Sequence, residues 1–371
     1  MGLGLSFPLM TTRRQLLRAG LVVGAAALAS RRSFAAGKAK RPLKILILGG
    51  TGFLGPHLVG IARGRGHTVT LFNRGKTRAE LFPDVEKLRG DRKGKLDALQ
   101  GHKFDAVLDN SGYVPKWVKL SAELLAPNVG QYLFVSSVSV YPDDVKPNAD
   151  ESTETQKLTV PDTEEVMKYY GALKAACERT VEAALPGRAT NVRPGLIVGP
   201  GDLSDRYTYW VTRMARGGDV LAPSGPDNPV QVIDVRDLTA FMIRAVEEKI
   251  VGTFNLAGPK ETMAGMLASC AKASGSNSKI VYVPADFLKE QKVGHWDDLK
   301  DFASEEGPGL WQIDCSRAIK AGLQYRSGDA TAADTLAWWN TLPEERRQRP
   351  RAGLTPAREQ EVLAAWKAKS G

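Results

Sequence analysis

Long apolar runs are missing from these 371 residues. Nothing reaches the roughly 18 consecutive apolar residues that a membrane-spanning helix needs. Cysteine is scarce: Cys177, Cys270 and Cys315 are too few and too scattered for a disulfide framework or a zinc site. Four histidines, none in a metal-binding pair spacing, leave metal chemistry outside the expectation. No internal repeat and no low-complexity segment is present, so neither a collagen-like nor a disordered chain fits. What remains, 43% apolar and 25% charged, is an ordinary globular composition with ample material for a large core.

Acidic residues are absent from residues 1–35, which carry Arg13, Arg14, Arg18, Arg31 and Arg32. An apolar run, Leu21 to Ala29, follows the arginine pair, and Ser33-Phe34-Ala35 offers a small-residue cleavage site ahead of Ala36. This order predicts an export signal, because the run is too short for a permanent anchor. Thr12-Arg13-Arg14-Gln15-Leu16-Leu17-Arg18 resembles the twin-arginine signal, and an ordinary secretory signal is the alternative. Its removal lowers the formal charge from +10 to +5, which weakens the case for a nucleic-acid surface. The expected destination is the periplasm, reached through the twin-arginine machinery by an already folded protein.

From Pro42 onward short apolar runs alternate with helical stretches. Leu43 to Leu48 is nearly continuous apolar, as a strand buried on both faces of a parallel sheet must be. Thr68 to Phe72, Phe104 to Leu108, Gln131 to Val135 and Thr190 to Val192 repeat it, with helices expected over His57 to Arg65 and Val166 to Leu185. The alternation predicts an α/β, Rossmann-like, doubly wound parallel sheet. Between the first strand and its helix lies Gly49-Gly50-Thr51-Gly52-Phe53-Leu54-Gly55, then Pro56 at an expected first helical position. Gly49 permits the tight turn, Gly52 a close approach to a pyrophosphate, and Gly55 close helix–strand packing. The free N–H groups at the helix start favour the anion.

This two-and-two glycine spacing resembles the short-chain dehydrogenase/reductase superfamily, and GGTGFLG its extended branch, the NAD-dependent epimerase/dehydratase family. The resemblance runs from about Lys44 to Ala257 and implies an NAD(P)-binding enzyme. An acid that would bind the adenosine ribose hydroxyls is missing after the second strand. Asn73-Arg74-Gly75-Lys76 stands there, and Arg74 with Lys76 would neutralise a 2′-phosphate, so NADP is favoured over NAD. The resemblance gives Asp91 an adenine contact and makes Asn110, Ser111 and Gly112, before Tyr113, a cofactor-lining turn. With Thr51, Phe53 and Leu54 of the loop, and Pro194, Gly195, Leu196 and Ile197 near the nicotinamide carboxamide, these complete the expected cofactor residues.

Tyr170 and Lys174 are four apart, about one helical turn, so both project from one face. Only Tyr170, not Tyr169, has a lysine at that distance. A phenol at its ordinary value near 10 is a poor base at neutral pH, and a neighbouring ammonium together with the oxidised nicotinamide is expected to lower it. Ser136-Ser137-Val138-Ser139-Val140-Tyr141 resembles the family's strand ending, with Pro142 replacing glycine, and this selects Ser137 as the catalytic hydroxyl. Ser137, Tyr170 and Lys174 are therefore the expected catalytic set.

The domains read as 42–201 with 230–257 returning to it, a discontinuous substrate region of 202–229 and 258–345, and a C-terminal segment, 346–371, with a helix over Thr355 to Lys369. Asp143 to Pro161 is expected to overhang the pocket. Arg206 and Tyr209 are the expected substrate contacts, with Tyr207 and Trp210 beside them; a packing face of a helix is the equal alternative. The aspartates of Val232 to Asp237 serve equally as helix caps. Two functions remain open. One is hydride transfer on a sugar-like or other hydroxyl/carbonyl substrate with a tightly bound cofactor, which a periplasmic address favours. The other is a non-catalytic nucleotide- or RNA-binding relative, as in chloroplast stem-loop RNA-binding proteins, although both Tyr170 and Lys174 are retained. The family implies a possible homodimer.

Overall fold

The structure, a computed structural model, describes residues 37–294, 298–299 and 307–370. The expected export signal lies outside them. The strands are β1 (Lys44–Leu48), β2 (Thr68–Asn73), β3 (Glu86–Arg89), β4 (Phe104–Asp109), β5 (Val129–Val135), β6 (Ala189–Pro194), β7 (Leu196–Val198), β8 (Asp219–Pro223), β9 (Pro229–Asp234), β10 (Gly252–Leu256), β11 (Lys260–Thr262) and β12 (Lys279–Val283). Seven of them form one sheet in the order β10-β6-β5-β4-β1-β2-β3, every neighbour parallel. This is the doubly wound order, with its switch point between β1 and β4.

The central strand shows why the order forms. Ile45, Leu46, Ile47 and Leu48 are all within 1% of complete burial. Because strand side chains alternate faces, Ile45 and Ile47 enter one core and Leu46 and Leu48 the other. The first core is closed by α1 (Leu54–Gly64), whose Leu58, Val59 and Ala62 are buried. The second is closed by α2 (Pro115–Leu125) and α3 (Tyr170–Ala184), through Val118, Ala122, Cys177 and Val181. Each buried Val, Leu or Ile among them contributes about 1.5–3 kcal/mol, so the two sandwiched faces fix the sheet.

A third core lies beyond β6. It gathers α4 (Arg206–Ala215), then α5 (Val235–Glu247) returns to the first face of the main sheet. Further members are α6 (Met263–Ser274), α7 (Gly328–Asn340) and α8 (Pro356–Ser370), packed with the parallel pair β8 and β12. Thr355 caps α8, its hydroxyl accepting from the Arg358 N–H at 3.2 Å. Among the described residues no helix is long and apolar enough to cross a membrane.

Three expectations shift. α1 starts at Leu54, three residues before His57, which puts Pro56 in the third helical position. The stretch Val166–Tyr169 is a turn, and α3 starts at Tyr170 itself. Met167 is 92% exposed, so the extra turn would have had no face to bury. Residues 143–149 pack against 307–314, Gln156 folds back onto Ser139 and Tyr141, and none of 143–161 lines the cleft. The Asn148 N–H donates to the Gln312 carbonyl at 2.8 Å, and the Gly307 N–H to that of Asp143 at 3.1 Å.

Candidate active site

A cleft runs over the carboxyl ends of β1, β2, β4, β5 and β6. It has two halves, of about 490 and 620 Å³, which share Phe53, Leu54, Asn110 and Tyr113. The first half holds the glycine loop. Gly49 takes φ +114°, and a Cβ there would stand 2.2 Å from the Asn110 Oδ1. A Cβ on Gly55 would stand 2.2 Å from the Gly50 carbonyl carbon, so that glycine serves helix packing and does not face the cleft. Gly52 differs from both. Its φ is ordinary, nothing lies within 4 Å of its would-be Cβ, and it lines the cavity. Nothing inside the chain demands a glycine at 52, whereas a ligand backed against the loop does. The residues present therefore fit a dinucleotide pyrophosphate.

Around the loop in this half, Thr51, Asn73, Arg74, Lys76, Asp91, Asn110 and Ser111 all line the cavity. The Asn73 carboxamide is taken up by the fold: it donates to the Gly49 carbonyl at 3.0 Å and accepts from the Gly75 N–H at 2.9 Å and Arg89 at 2.6 Å. Asp91 accepts from the Lys93 N–H at 3.0 Å. Arg74 and Lys76 are exposed at the mouth. Ser111 donates to the Leu48 carbonyl at 2.9 Å and tightens the β1–β4 junction. Gly112 lies under the cleft, because a Cβ there would meet the Phe134 ring at 2.6 Å.

Sequence reasoning missed the floor of this half. Arg92 makes a two-pronged bond to the fully buried Asp109, at 2.6 and 2.7 Å, and also donates to Ser111 and Ser121. Tyr132 donates to the same carboxylate at 2.8 Å. The Arg92 guanidinium and these hydrogen bonds hold the Asp109 carboxyl below its ordinary range although burial pushes it up. A carboxylate ending an apolar strand was the available signal, since burial demands a cation beside it. Trp117, under the Lys93 ammonium at 4.0 Å, also lines this half.

The second half brings Ser137, Tyr170, Lys174, Pro194, Gly195, Leu196, Ile197 and Arg206 together. Ser137 is in extended backbone at the end of β5, its hydroxyl accepting from the Ser139 N–H at 3.1 Å. That hydroxyl also donates to the Ser139 hydroxyl at 3.1 Å, and Tyr170 lines the same half. Tyr170 opens α3, with its ring 6.4 Å from that of Tyr113. Lys174 is buried, donating to the Gly112 carbonyl at 2.8 Å and the Val135 carbonyl at 2.5 Å. Its ammonium lies 4.5 Å over the Phe134 ring and 4.9 Å over that of Tyr113.

The electrostatics correct the ammonium's part of one expectation. Burial pushes the Tyr170 phenol up to about 12, Tyr113 adds to the rise, and only the nearby Ser137 hydroxyl and Arg206 oppose it. Lys174 does not lower it in the protein alone, because two carbonyls hold the ammonium beneath Tyr113. Burial in turn pushes Lys174 down to about 8.

On the substrate side, Met167, Asp202, Leu310 and Trp311 join Arg206 at the rim. Tyr209 does not. It is buried in the third core, 5.0 Å from the Trp210 ring, and packs against Gly353, where a Cβ would meet its ring at 1.9 Å. Tyr207 and Trp210 are likewise buried, so the aromatic residues of α4 form a packing face and only Arg206 faces the cleft. Asp234 caps α5, accepting from the Arg236 N–H at 2.8 Å, and Asp237 binds Arg326.

The sheet order and the two-part cleft define a Rossmann-type protein built around a dinucleotide seat. This chain belongs to the NAD dependent epimerase/dehydratase family, which residues 45–257 match. It is 31% identical over 289 residues, 71% of this chain and 72% of the relative, to the chloroplast stem-loop binding protein of 41 kDa b of Arabidopsis thaliana. It is 32% identical over 183 residues to the 2-alkyl-3-oxoalkanoate reductase of Stenotrophomonas maltophilia, covering 43% of this chain and about half, 52%, of that enzyme. Among solved structures it resembles the UDP-N-acetylglucosamine 4-epimerase of Bacillus cereus, with a TM-score of 0.61 at 18% identity over 81% of this chain and 98% of that one. The Bordetella bronchiseptica enzyme WbmG in complex with NAD and UDP gives 0.61 at 16% identity over 81% and 96%. These likenesses share the fold.

Proposed function

We propose that this chain transfers hydride between a nicotinamide dinucleotide and a hydroxyl or carbonyl substrate. The observation carrying this reading is that Ser137, Tyr170 and Lys174 line one cleft half, which joins the glycine-loop half through shared residues. The loop from Gly49 to Leu54 would hold the pyrophosphate, and Pro194 to Ile197 would border the nicotinamide. When bound, the nicotinamide supplies or takes up the hydride. Ser137 binds the substrate oxygen, and Tyr170 gives that oxygen a proton or removes one. A phenol held near 12 rests protonated at neutral pH, which equips Tyr170 to protonate the oxygen of a carbonyl under reduction. The reductase relative supports that direction. Exposed Arg74 and Lys76, with no acid between them, favour NADP(H).

The twin-arginine reading of residues 1–35 extends the proposal to periplasmic work with a retained cofactor. Redox-neutral turnover, as by an epimerase, a dehydratase or a hydride-shuttling isomerase on a sugar-like substrate, then becomes the favoured form. The test is mass spectrometry of nucleotide co-purifying with the exported protein, followed by turnover of a panel of sugars and 3-oxoacyl compounds. Tyr170→Phe should cut turnover by about 10²–10⁴ while leaving nucleotide binding intact. Undiminished turnover, or protein with no affinity for nicotinamide dinucleotides, would overturn the proposal. A second reading, RNA binding, is favoured by the Arabidopsis relative's name. Salt-sensitive RNA binding unaffected by Tyr170→Phe, in a protein without turnover, would support it instead.

A further inference from the structure

We propose that Arg78 is a positioning residue that sets the phosphate-binding face of the glycine loop. The inference rests on the dinucleotide reading above and assigns a role to a side chain outside the cleft lining. In sequence Arg78 is one cation among several in Arg74-Gly75-Lys76-Thr77-Arg78. The fold singles it out. Its Nε donates to the Thr51 carbonyl at 2.9 Å, and its Nη2 donates to the Gly52 carbonyl. One guanidinium thus spans two successive peptide units of the loop.

In a trans peptide the C=O and N–H point in opposite directions. The unit that carries the Thr51 oxygen carries the Gly52 N–H, and the unit that carries the Gly52 oxygen carries the Phe53 N–H. Holding both oxygens on the Arg78 side turns both N–H groups away from it. Gly52 and Phe53 line the cavity and Arg78 does not, so that opposite side is the cleft. An anion seeks those N–H groups and is repelled by carbonyl oxygens. Gly52 meets nothing within 4 Å of its would-be Cβ, so side-chain packing does not fix its peptide planes. Arg78 supplies the missing restraint and adds a full positive charge behind the loop. Its own backbone sits at φ +40°, in the left-handed region that a non-glycine residue rarely occupies, at the residue making the clamp.

This role differs from that of Arg74 and Lys76, which stand at the cavity mouth and would serve only a 2′-phosphate. Arg78 acts on the pyrophosphate shared by ADP, NAD⁺ and NADP⁺. Isothermal titration of the full chain with those three ligands and with adenosine separates the roles. Arg78→Met should weaken ADP, NAD⁺ and NADP⁺ alike by about tenfold, or about 1.4 kcal/mol, with adenosine changed by less than about twofold. Arg78→Lys should recover only part of the loss, because an ammonium cannot present the planar fork that spans both carbonyls. An equal loss for adenosine would reduce Arg78 to general support of the fold, and a loss confined to NADP⁺ would make it a 2′-phosphate reader; either overturns the inference. Wild-type protein that binds neither ADP nor the dinucleotides would sink the dinucleotide reading itself. Wild-type binding with an unchanged Arg78→Met would sink the Arg78 role alone.

Discussion

Lys174→Met should change how stability depends on pH, because the ammonium it removes sits where water cannot solvate it. Burial pushes Lys174 down to about 8, while an unfolded chain releases that proton near 10.4. Between those values the unfolded chain still holds a proton that the folded chain has lost. Stability therefore rises with pH across the window, since the unfolded state binds more protons there. The part due to Lys174 is about 3 kcal/mol, at 1.36 kcal/mol for each tenfold. Most other phenols and thiols titrate alike in the two proteins, and the adjacent Cys177, pushed up to about 12, titrates above the window. Subtraction therefore isolates the lysine. Urea unfolding of both proteins at intervals from about pH 7 to 10.5 should show the wild-type-minus-variant difference growing by that amount. Parallel profiles would mean the ammonium is solvated, and that the Gly112 and Val135 carbonyls do not hold it behind Tyr170.

Arg92→Met should cost about 3–5 kcal/mol in urea unfolding, because it leaves the Asp109 carboxylate buried with neutral partners only. The pair's contribution is present above the unfolded carboxyl value near 3.9 and is lost as pH falls through the lower folded value. A loss below about 1 kcal/mol would show that water reaches the pair. Arg74→Ala combined with Lys76→Ala should weaken NADP⁺ by about tenfold or more and leave NAD⁺ within about twofold, measured by titration calorimetry. Equal losses for the two would remove the basis for a 2′-phosphate site.

The main sheet was legible because its physics is local. β1 must be apolar on both faces, and Leu43 to Leu48 displays that without reference to any partner. The glycine loop was legible for the same reason, as its turn and its helix start are contiguous. Tyr209 was not. An aromatic residue at helical spacing suits a core and a sugar face equally, and the choice depends on Gly353, some 140 residues away, seating its ring. Arg78 and Arg92 are also beyond sequence reasoning of this kind. Their partners, Thr51 and Asp109, lie 27 and 17 residues off across the sheet, and one surface cation reads like the next until the chain is folded.

The rim of the cleft depends on contacts that come from far along the chain. Asp205 precedes Arg206 in left-handed backbone at φ +60°, almost wholly buried, a conformation that must be held from outside. Arg346 donates twice to its carboxylate, at 2.6 and 2.7 Å, and the Arg351 N–H donates once at 2.8 Å. At the other end of α4, Arg213 pairs with the buried Glu359 of α8. Both ends of the helix that carries Arg206 are therefore gripped by charged groups from the C-terminal segment. Removing one partner of a buried pair of this kind is costly, so these contacts tie the C-terminal segment to the helix behind the second half of the cleft. Of the two halves of the cleft, the glycine-loop half is built from local strand–loop–helix units, while the rim of the other is held by long-range ion pairs.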